Sequence, residues 1–472
     1  MDKHLYSFIE RFVKELQEEN VAIFAGAGLS VGAGYVNWKK LLAPIARDLD
    51  LDIDRENDLI SLAQYHFNEK ANRSELNRIL IEQLSPGHKP TKNHRLLARL
   101  PIKTYWTTNY DRLIEASLAD ANKIADVKYT TDQLKHTKPK RDAIVYKMHG
   151  DIEHPDSAVL TKDDYEQYQG SRGPFVTALS GDLVAKMFLF LGFSFTDPNL
   201  DYILSRVRIS LHSKPRDHYC IFKACQQQDY GDDEEFRYAD IKQKLAINDL
   251  KRFGVQTLLL SSYDDLTDLL KNIENLYKRK TVFISGSVGD YGSWGKVRSD
   301  RFVTELTRSL IINKNKIVSG FGVGVGSLVV SGALEELYER QGRRLHDELT
   351  LRPFPQGTEN VKRWEIYRHE MIAHAGVAIF IFGNKLVDGH PATAAGVRRE
   401  FEIARDQGLL LIPVGATGFV AKELWQEVMD DFDTFYPEHS DLKPLLLSLG
   451  DDSDDDKLIG TIIDIIGKAK GK

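Results

Sequence analysis

An apolar run that ends in a glycine-rich turn lies near the start of the chain. Residues 21–25 are Val, Ala, Ile, Phe and Ala, and Gly26-Ala27-Gly28-Leu29-Ser30 follow directly. The run is too short to cross a bilayer, and its β-branched and aromatic side chains suit a buried strand of a parallel sheet. The two glycines allow a sharp turn and a close approach to a ligand, and Ser30 can cap the next helix or donate to a phosphate oxygen. The pattern predicts a nucleotide-binding turn, although a strand-to-helix turn that binds nothing shares it.

Three later segments place polar residues directly after an apolar run. They are residues 107–111 (Thr-Thr-Asn-Tyr-Asp), 145–151 (Val-Tyr-Lys-Met-His-Gly-Asp) and 188–199, which ends in Thr-Asp-Pro-Asn. Open α/β sheets bind ligands at the carboxyl edge of their strands. We therefore expect four strand ends to converge on one crevice.

These segments resemble the motifs of the sirtuin family. Gly26–Ser30 is similar to its Gly-Ala-Gly-x-Ser loop, Thr108–Asp111 to its Gln-Asn-Ile-Asp and Met148–Gly150 to its Leu-His-Gly, in the same order. The resemblance implies a Rossmann-like NAD site in which Asn109 and Asp111 border the nicotinamide ribose and His149 is the general base. It implies dinucleotide contacts from Ala25, Gly26, Ala27, Gly28, Ser30, Trp38, Asp111, Gly192 and Ser194.

The chain departs from that family in its cysteines and in its peptide-binding residues. Sirtuin deacetylases carry a zinc ribbon of paired Cys-x-x-Cys motifs, but the only cysteines here are Cys220 and Cys225. Four thiolate ligands are therefore missing, and no metal is expected. Where sirtuins have Pro-Asp-Phe-Arg, residues 36–39 are Val-Asn-Trp-Lys, which keeps the aromatic residue alone. We expect water, rather than an acetyl-lysine peptide, to be the nucleophile, and an NAD-dependent protein deacylase is the alternative.

His149 and Asn109 are the candidate catalytic residues. Cleavage of the nicotinamide glycosidic bond creates an oxocarbenium-like ribosyl centre that needs an activated nucleophile. An unperturbed histidine titrates near pH 6.5, and a positioned base supplies about 10²- to 10⁴-fold. The carboxamide of Asn109 does not titrate and is suited to holding water or ribose. A strand-end histidine bonded to a carbonyl, and an Asx turn, are the structural alternatives for these two residues.

The strand and glycine-turn pattern begins again after residue 278. Residues 281–287 form a new apolar run, and residues 316–327 end in a second glycine-rich turn, Gly320-Phe321-Gly322-Val323-Gly324-Val325-Gly326. Apolar runs at 377–382 and 409–414 follow. The sequence thus predicts an α/β fold with two Rossmann-like parallel-sheet domains, at 1–278 and 279–472. Helical periodicity at about 40–100 predicts a helical insert that covers the first crevice.

The second half resembles the SLOG superfamily. Gly320–Gly326 is similar to its phosphate loop, Arg368–Met371 to its arginine-containing stretch and Gly396–Glu400 to its Gly-Thr-x-x-Glu helix start, with Val397 in place of threonine. The resemblance implies a nucleotide-sensing domain. Candidate ligand-binding residues are Ser287, Gly320, Gly322, Gly324, Gly326, Arg368, Lys385 and Glu400, with a solvated lysine, an exposed helix arginine and a helix salt bridge as alternatives for the last three.

The pairing of the two halves is similar, over the whole chain, to the NAD-consuming effectors of the bacterial Thoeris antiphage system. That resemblance implies an NAD hydrolase that becomes active when the second domain binds a cyclic ADP-ribose isomer made by a TIR-domain partner. It further implies depletion of cellular NAD, death of the infected cell and a homotetramer. A non-catalytic nucleotide-binding scaffold is the remaining alternative.

Net charge and hydropathy restrict the binding partners and the cellular compartment that we expect for this protein. The net charge of −6 provides no basic footprint for nucleic acid. The amino terminus shows no secretion signal, and no apolar run has the length of a membrane span. Two cysteines suit a reducing compartment, so we expect a cytoplasmic bacterial protein.

Overall fold

Two units of contiguous chain, Met1–Glu274 and Asn275–Lys472, make up the computed structural model. The structure describes residues 3–84, 87–195, 197–210, 216–339, 348–354, 361–437, 439–451 and 454–470. Each unit is built on its own parallel sheet, which confirms the prediction of two Rossmann-like α/β domains.

The first unit contains a seven-stranded parallel sheet. Its strand order is β3-β4-β2-β1-β5-β6-β7, so the strand that precedes the first glycine turn lies at the centre. Residues at the centre of such a sheet are covered on both faces, and every residue of the central strand is buried. The strands are β1 (Val21–Ala25), β2 (Thr104–Thr107), β3 (Ala125–Lys128), β4 (Ala143–Lys147), β5 (Met187–Leu191), β6 (His218–Lys223) and β7 (Val255–Leu260).

Helices connect these strands. The last helix of the series, α12, crosses from the first unit into the second. The helices are α1 (Lys3–Gln17), α2 (Ala27–Val31), α3 (Trp38–Asp48), α4 (Leu59–Lys70), α5 (Ser74–Leu84), α6 (Lys92–Arg99), α7 (Leu113–Asp120), α8 (Lys162–Glu166), α9 (Tyr168–Ala185), α10 (Pro198–Ser210), α11 (Asp233–Leu250) and α12 (Tyr263–Lys278).

The predicted helical insert corresponds to α3–α6. The apolar side chains of α3, α4 and α5 pack in one cluster with Tyr110, Ala158 and Leu160, which lie beyond the ends of β2 and β4. Polar bonds join the same surfaces. Gln64 and Asp163 exchange two hydrogen bonds of 2.9 Å, and Arg73 donates to both carboxylate oxygens of Asp164 at 2.9 and 3.1 Å. The insert is thus anchored to the chain that follows β4.

The second unit contains a five-stranded parallel sheet and a separate hairpin. The sheet order is β10-β9-β8-β11-β14, and β12 pairs antiparallel with β13. The strands are β8 (Thr281–Ser287), β9 (Lys316–Ser319), β10 (Leu349–Leu351), β11 (Val377–Phe382), β12 (Asn384–Val387), β13 (His390–Thr393) and β14 (Leu410–Pro413). The helices are α13 (Gly295–Ile312), α14 (Gly326–Glu339), α15 (Val361–Ile372), α16 (Ala395–Asp406), α17 (Phe419–Asp430), α18 (Phe432–Phe435), α19 (Lys443–Ser448) and α20 (Asp455–Lys470).

Candidate functional site

The first glycine turn is packed against the end of β5. The amide of Gly28 donates to the carbonyl of Gly192 at 2.8 Å, and a Cβ on Gly26 would lie 2.4 Å from the same oxygen. Gly192 has a φ of +62°, and a Cβ there would lie 2.1 Å from the amide nitrogen of Leu29. Close approach of two backbones therefore requires these glycines, in addition to any role toward a ligand.

A polar network joins the glycine turn to the end of β2. The carboxamide of Asn109 donates to the carbonyl of Gly26 and to the hydroxyl of Ser30, both at 3.0 Å. The hydroxyl of Ser30 donates in turn to Asp111 at 2.7 Å. Thr107 donates to the carbonyl of Ala25 at 2.8 Å, so four side-chain hydrogen bonds join the residues at the ends of these two neighbouring strands. The structure brings Ser30, Asn109 and Asp111 together as the sequence predicts.

His149 lies just beyond the end of β4 and is only 4% exposed. Three tyrosine rings surround its imidazole, with centroid distances of 6.5 Å to Tyr110, 5.5 Å to Tyr165 and 6.3 Å to Tyr168. The ring of Tyr110 also stacks with the ring of Trp38, with a centroid distance of 6.2 Å. Three aromatic rings thus form a row, from Trp38 through Tyr110 to His149. Tyr110 directly follows Asn109 in the chain.

The sequence analysis did not identify Asp197 as the acidic neighbour of His149. The Oδ2 atom of Asp197 lies 3.2 Å from Nε2 of His149, a distance of an ion pair, although the two groups are not aligned as a hydrogen bond. Burial opposes ionisation of Asp197, but the charge of His149 and the amides of Leu200 and Asn199 outweigh it and hold the pKa of Asp197 below its ordinary value. The signal in the sequence was the Asp-Pro-Asn segment after β5.

The other dinucleotide candidates occupy different positions. Ala25 is the buried last residue of β1, whereas Ser194 is exposed on the loop after β5. Trp38 begins α3 of the insert, where Asn37 caps the helix by accepting from the amide of Lys40. Strand ends β1, β2, β4 and β5 therefore contribute to one edge, as the parallel register requires.

A second candidate site is a cavity of about 260 Å³ at the carboxyl edge of the second sheet. Its walls come from the end of β8, the glycine turn after β9, the start of α16 and one residue of α15. Five of the eight residues predicted for this site line the cavity, namely Ser287, Gly320, Gly322, Arg368 and Glu400. The lining also includes Ser285, Phe321, Phe354 and Gly396.

Glu400 is the buried acid of this cavity. Ser285 donates to its Oε2 atom at 2.5 Å, and Nε of Arg368 lies 3.7 Å from Oε1. Burial raises the pKa of Glu400, against the opposing effects of Ser285 and Arg368. The guanidinium of Arg368 also lies over the ring of Phe354, 5.2 Å from its centroid. Arg368 and Glu400 thus face the cavity, where they are arranged to contact a polar ligand.

Three predicted residues of the second unit do not line the cavity. Gly324, with a φ of +73°, and Gly326 continue the glycine turn away from it, and Lys385 is exposed on the β12–β13 hairpin. The hydroxyl of Ser287 does line the cavity, but it donates to the carbonyl of Asn384 at 3.0 Å. The hairpin is therefore anchored beside the cavity at its first residue.

The described residues contain neither a metal-binding cluster nor a membrane-spanning helix. No group of three or more His, Cys, Asp or Glu side chains in that part of the chain has the arrangement needed to hold a metal ion. None of the helices placed there is both long and apolar enough to span a bilayer.

Comparison with known proteins identifies relatives along the whole chain. Residues 103–244 match the SIR2-like domain, and residues 265–469 match the Sir2- and TIR-associating SLOG family. The chain is 52% identical over 462 residues to "NAD(+) hydrolase ThsA" of Bacillus cereus (strain MSX-D12), with 97% of each chain covered. It is 48% identical to the protein of the same name from Acinetobacter baumannii (strain 532279), which covers 97% of this chain and 98% of the relative. The Enterococcus faecium protein of that name is 42% identical over 99% of both chains.

Proposed function

The chain belongs to the ThsA family of NAD(+) hydrolases, and we propose that its first domain, residues 1–278, hydrolyses NAD to ADP-ribose and nicotinamide. The observation that carries the proposal is the Ser30–Asn109–Asp111 network, which lies at the same sheet edge as His149. Polar side chains on converging strand ends are the usual ligand site of open α/β sheets. NAD is the substrate.

The hydrolytic step follows from the chemistry of these side chains. The oxygen of water bonds to the anomeric carbon of the nicotinamide ribose as the bond from that carbon to the pyridinium nitrogen breaks. The bonding pair passes to the nitrogen, so nicotinamide leaves as a neutral molecule, and His149 accepts the proton of the water. Asn109 positions the ribose or the water, and Asp111 and Ser30 hold Asn109 in place.

Purified protein with a fluorescent etheno-NAD substrate tests the proposal. We expect cleavage in the presence of a cyclic ADP-ribose isomer, with nicotinamide and etheno-ADP-ribose formed in equal amounts. Intact substrate with and without every isomer tried would contradict it. A protein deacylase would consume NAD only when an acylated peptide is added. A non-catalytic scaffold would bind NAD and leave it intact, and its function would survive His149→Ala.

We further propose that the second domain, residues 279–472, binds the cyclic ADP-ribose isomer that switches on the first. Support comes from its cavity of about 260 Å³, in which the cation of Arg368 and the buried acid Glu400 are available to a phosphate and to ribose hydroxyls. The glycine turn supplies a close backbone approach at Gly320 and Gly322. A signal of this kind acts only if it binds the active arrangement more tightly than the resting one.

The cellular role that we propose is defence against phage. A TIR-domain partner makes the cyclic signal, and the activated enzyme depletes cytoplasmic NAD until the infected bacterium dies. We also propose a homotetramer. Light scattering at micromolar concentration tests the assembly, and a monomer would contradict it. Cellular NAD measured after infection, with and without the TIR partner, tests the role.

A further inference from the structure

Lys147, the last residue of β4, is a fully buried lysine, with 0% of its side chain exposed. Its ammonium donates to the carbonyls of Tyr110 at 3.0 Å and Asp111 at 2.5 Å, and to Oδ2 of Asp151 at 2.6 Å. Those three bonds use all three of its N–H donors. Glu115 lies 3.2 Å away and supplies a second acid, whose pKa is raised by burial.

The partners of this ammonium belong to the two loops that carry the candidate catalytic residues. Tyr110 and Asp111 directly follow Asn109 on the loop after β2, and Asp151 lies two residues after His149 on the loop after β4. Other contacts also join these loops: the amide of Ile152 donates to the carbonyl of Tyr110 at 3.1 Å, the hydroxyl of Tyr110 donates to the carbonyl of Val159 at 2.7 Å, and Arg112 pairs with Glu153. Lys147 is the buried group among these contacts that bonds to both loops at one point.

The buried charge of Lys147 costs desolvation free energy, so the geometry of its contacts explains the residue better than added stability does. Desolvation of a buried ion pair often outweighs the attraction between its members, so an apolar side chain of similar volume would serve stability as well or better. The compact ammonium can meet three oxygens that converge on one point, whereas the planar fork of arginine cannot. The arrangement is thus suited to fixing one geometry rather than to adding stability.

We propose that Lys147 is a positioning residue for NAD hydrolysis, which sets the spacing between the carboxamide of Asn109 and the imidazole of His149. The inference rests on the proposed NAD hydrolysis. Lys147 touches no reacting atom and acts through the backbone of the two loops. Its effect is therefore expected on the chemical step rather than on the affinity for NAD.

The test compares two double variants of equal chemistry. Lys147→Met with Asp151→Asn removes the buried ammonium and its nearest carboxylate, and burial, which raises the pKa of Glu115, favours the neutral form of the acid that remains. The control is Lys128→Met with Asp126→Asn, which removes the other buried pair at the end of the adjacent strand β3, where Lys128 and Asp126 lie 2.8 Å apart. Circular dichroism and thermal melting establish the folded fraction, and kcat and KM for NAD are then measured in the presence of the activating isomer.

We expect kcat of the Lys147/Asp151 variant to fall roughly 10²-fold, as small misplacements of reacting groups do, while KM changes less than about threefold. The Lys128/Asp126 control should keep both constants within about threefold of the parent. A folded Lys147/Asp151 variant with near-parental kcat overturns the inference, as does an equal loss in the control. A parent protein that never cleaves NAD overturns the proposed hydrolysis instead, so the two failures are distinct.

Discussion

The side-chain amide of Asn109 lies 3.0 Å from the hydroxyl of Ser30 and donates a hydrogen bond to it. The bond joins helix α2, which follows β1, to the loop after β2, and Asp111 accepts the proton of the same hydroxyl. Because a serine hydroxyl both donates and accepts, Ser30 orients the amide and the carboxylate together. The orientation of Asn109 therefore depends on a residue of the glycine turn.

Ser30→Ala removes the group that Asn109 and Asp111 share. Asp111 then loses a buried donor, and we expect a loss of about 1–3 kcal/mol in stability. We also expect kcat/KM for NAD to fall by about tenfold or more, because the carboxamide is no longer oriented. Ser117→Ala is the control, since that buried hydroxyl bonds only to the carbonyl of Ile114 within α7. Parental activity in Ser30→Ala would show that the network has no catalytic role.

His149→Ala removes the proposed base. We expect kcat to fall by about 10²- to 10⁴-fold, the contribution of a positioned general base. Binding of NAD, measured by calorimetry, should remain. His154→Ala, at an exposed histidine that stacks on Tyr129, should leave kcat unchanged. If His149→Ala retains parental kcat, another group is the base.

Gly192→Ala inserts a methyl group between two packed turns. Its Cβ would lie 2.1 Å from the amide nitrogen of Leu29, and the φ of +62° disfavours any L side chain. We expect a loss of about 3 kcal/mol from combined strain and overpacking. Gly181→Ala in α9, where a Cβ meets nothing within 4 Å, should instead stabilise the helix by about 0.5–1 kcal/mol. Calorimetry that ranks the two variants the other way would refute this account of the turn.

Glu400 predicts a pH dependence of the second unit. Burial raises its pKa in the folded state, so the native protein binds this proton more tightly than the unfolded chain does. Stability from this group is therefore lost as pH rises from the ordinary glutamate value of about 4.5 through the raised value, with a slope of at most about 1.4 kcal/mol per pH unit. Glu400→Gln should abolish that loss, so its stability relative to the parent should rise with pH.

Calorimetric scans between pH 4 and pH 8 measure the effect of Glu400. Glu402→Gln, on the same helix but partly exposed and paired with Arg399, is the control and should show no such trend. A constant difference between Glu400→Gln and the parent across this range would mean that Glu400 does not titrate as its burial requires.

Arg368→Ala removes the cation of the second cavity. Because Arg368 lies between Phe354 and Glu400, we expect the concentration of cyclic isomer needed for half-maximal activation to rise at least about tenfold, as expected when a charge-assisted contact is lost. Arg363→Ala, at an exposed position of the same helix, is the control. Unchanged activation in Arg368→Ala would place the signal elsewhere.

The strands before the two glycine turns could be predicted from the sequence, because a strand depends on the local pattern of apolar residues. The runs before Gly26 and Gly320 are short, apolar and bounded by turn residues, and both became strands of parallel sheets. Ser30, Asn109 and Asp111 were predicted because they follow apolar runs and because their motifs resemble those of the sirtuin family. Helix and strand limits and the role of each glycine depend on packing, which a single sequence does not encode locally.

Asp197 and Lys147 show what that pattern cannot reveal. Asp197 is 48 residues from His149 in the chain, and the pairings of β4 with β2, β2 with β1 and β1 with β5 place the two strand ends at the same edge of the sheet. Lys147 is the last residue of the half-buried strand β4, where a lysine is ordinarily assigned to solvent. Its burial results from four oxygens contributed by two loops and by α7, and these meet only in the folded chain.

The attachment of the helical insert has a consequence for chimeric proteins. Gln64 and Arg73 of the insert bind Asp163 and Asp164, and the same stretch returns to His149 through the bond from the amide of Val159 to its carbonyl. An insert exchanged alone between relatives would separate these partners and expose the apolar cluster beneath them. A functional graft must carry residues 156–164 along with the insert, so evolution is constrained to vary these two segments as one.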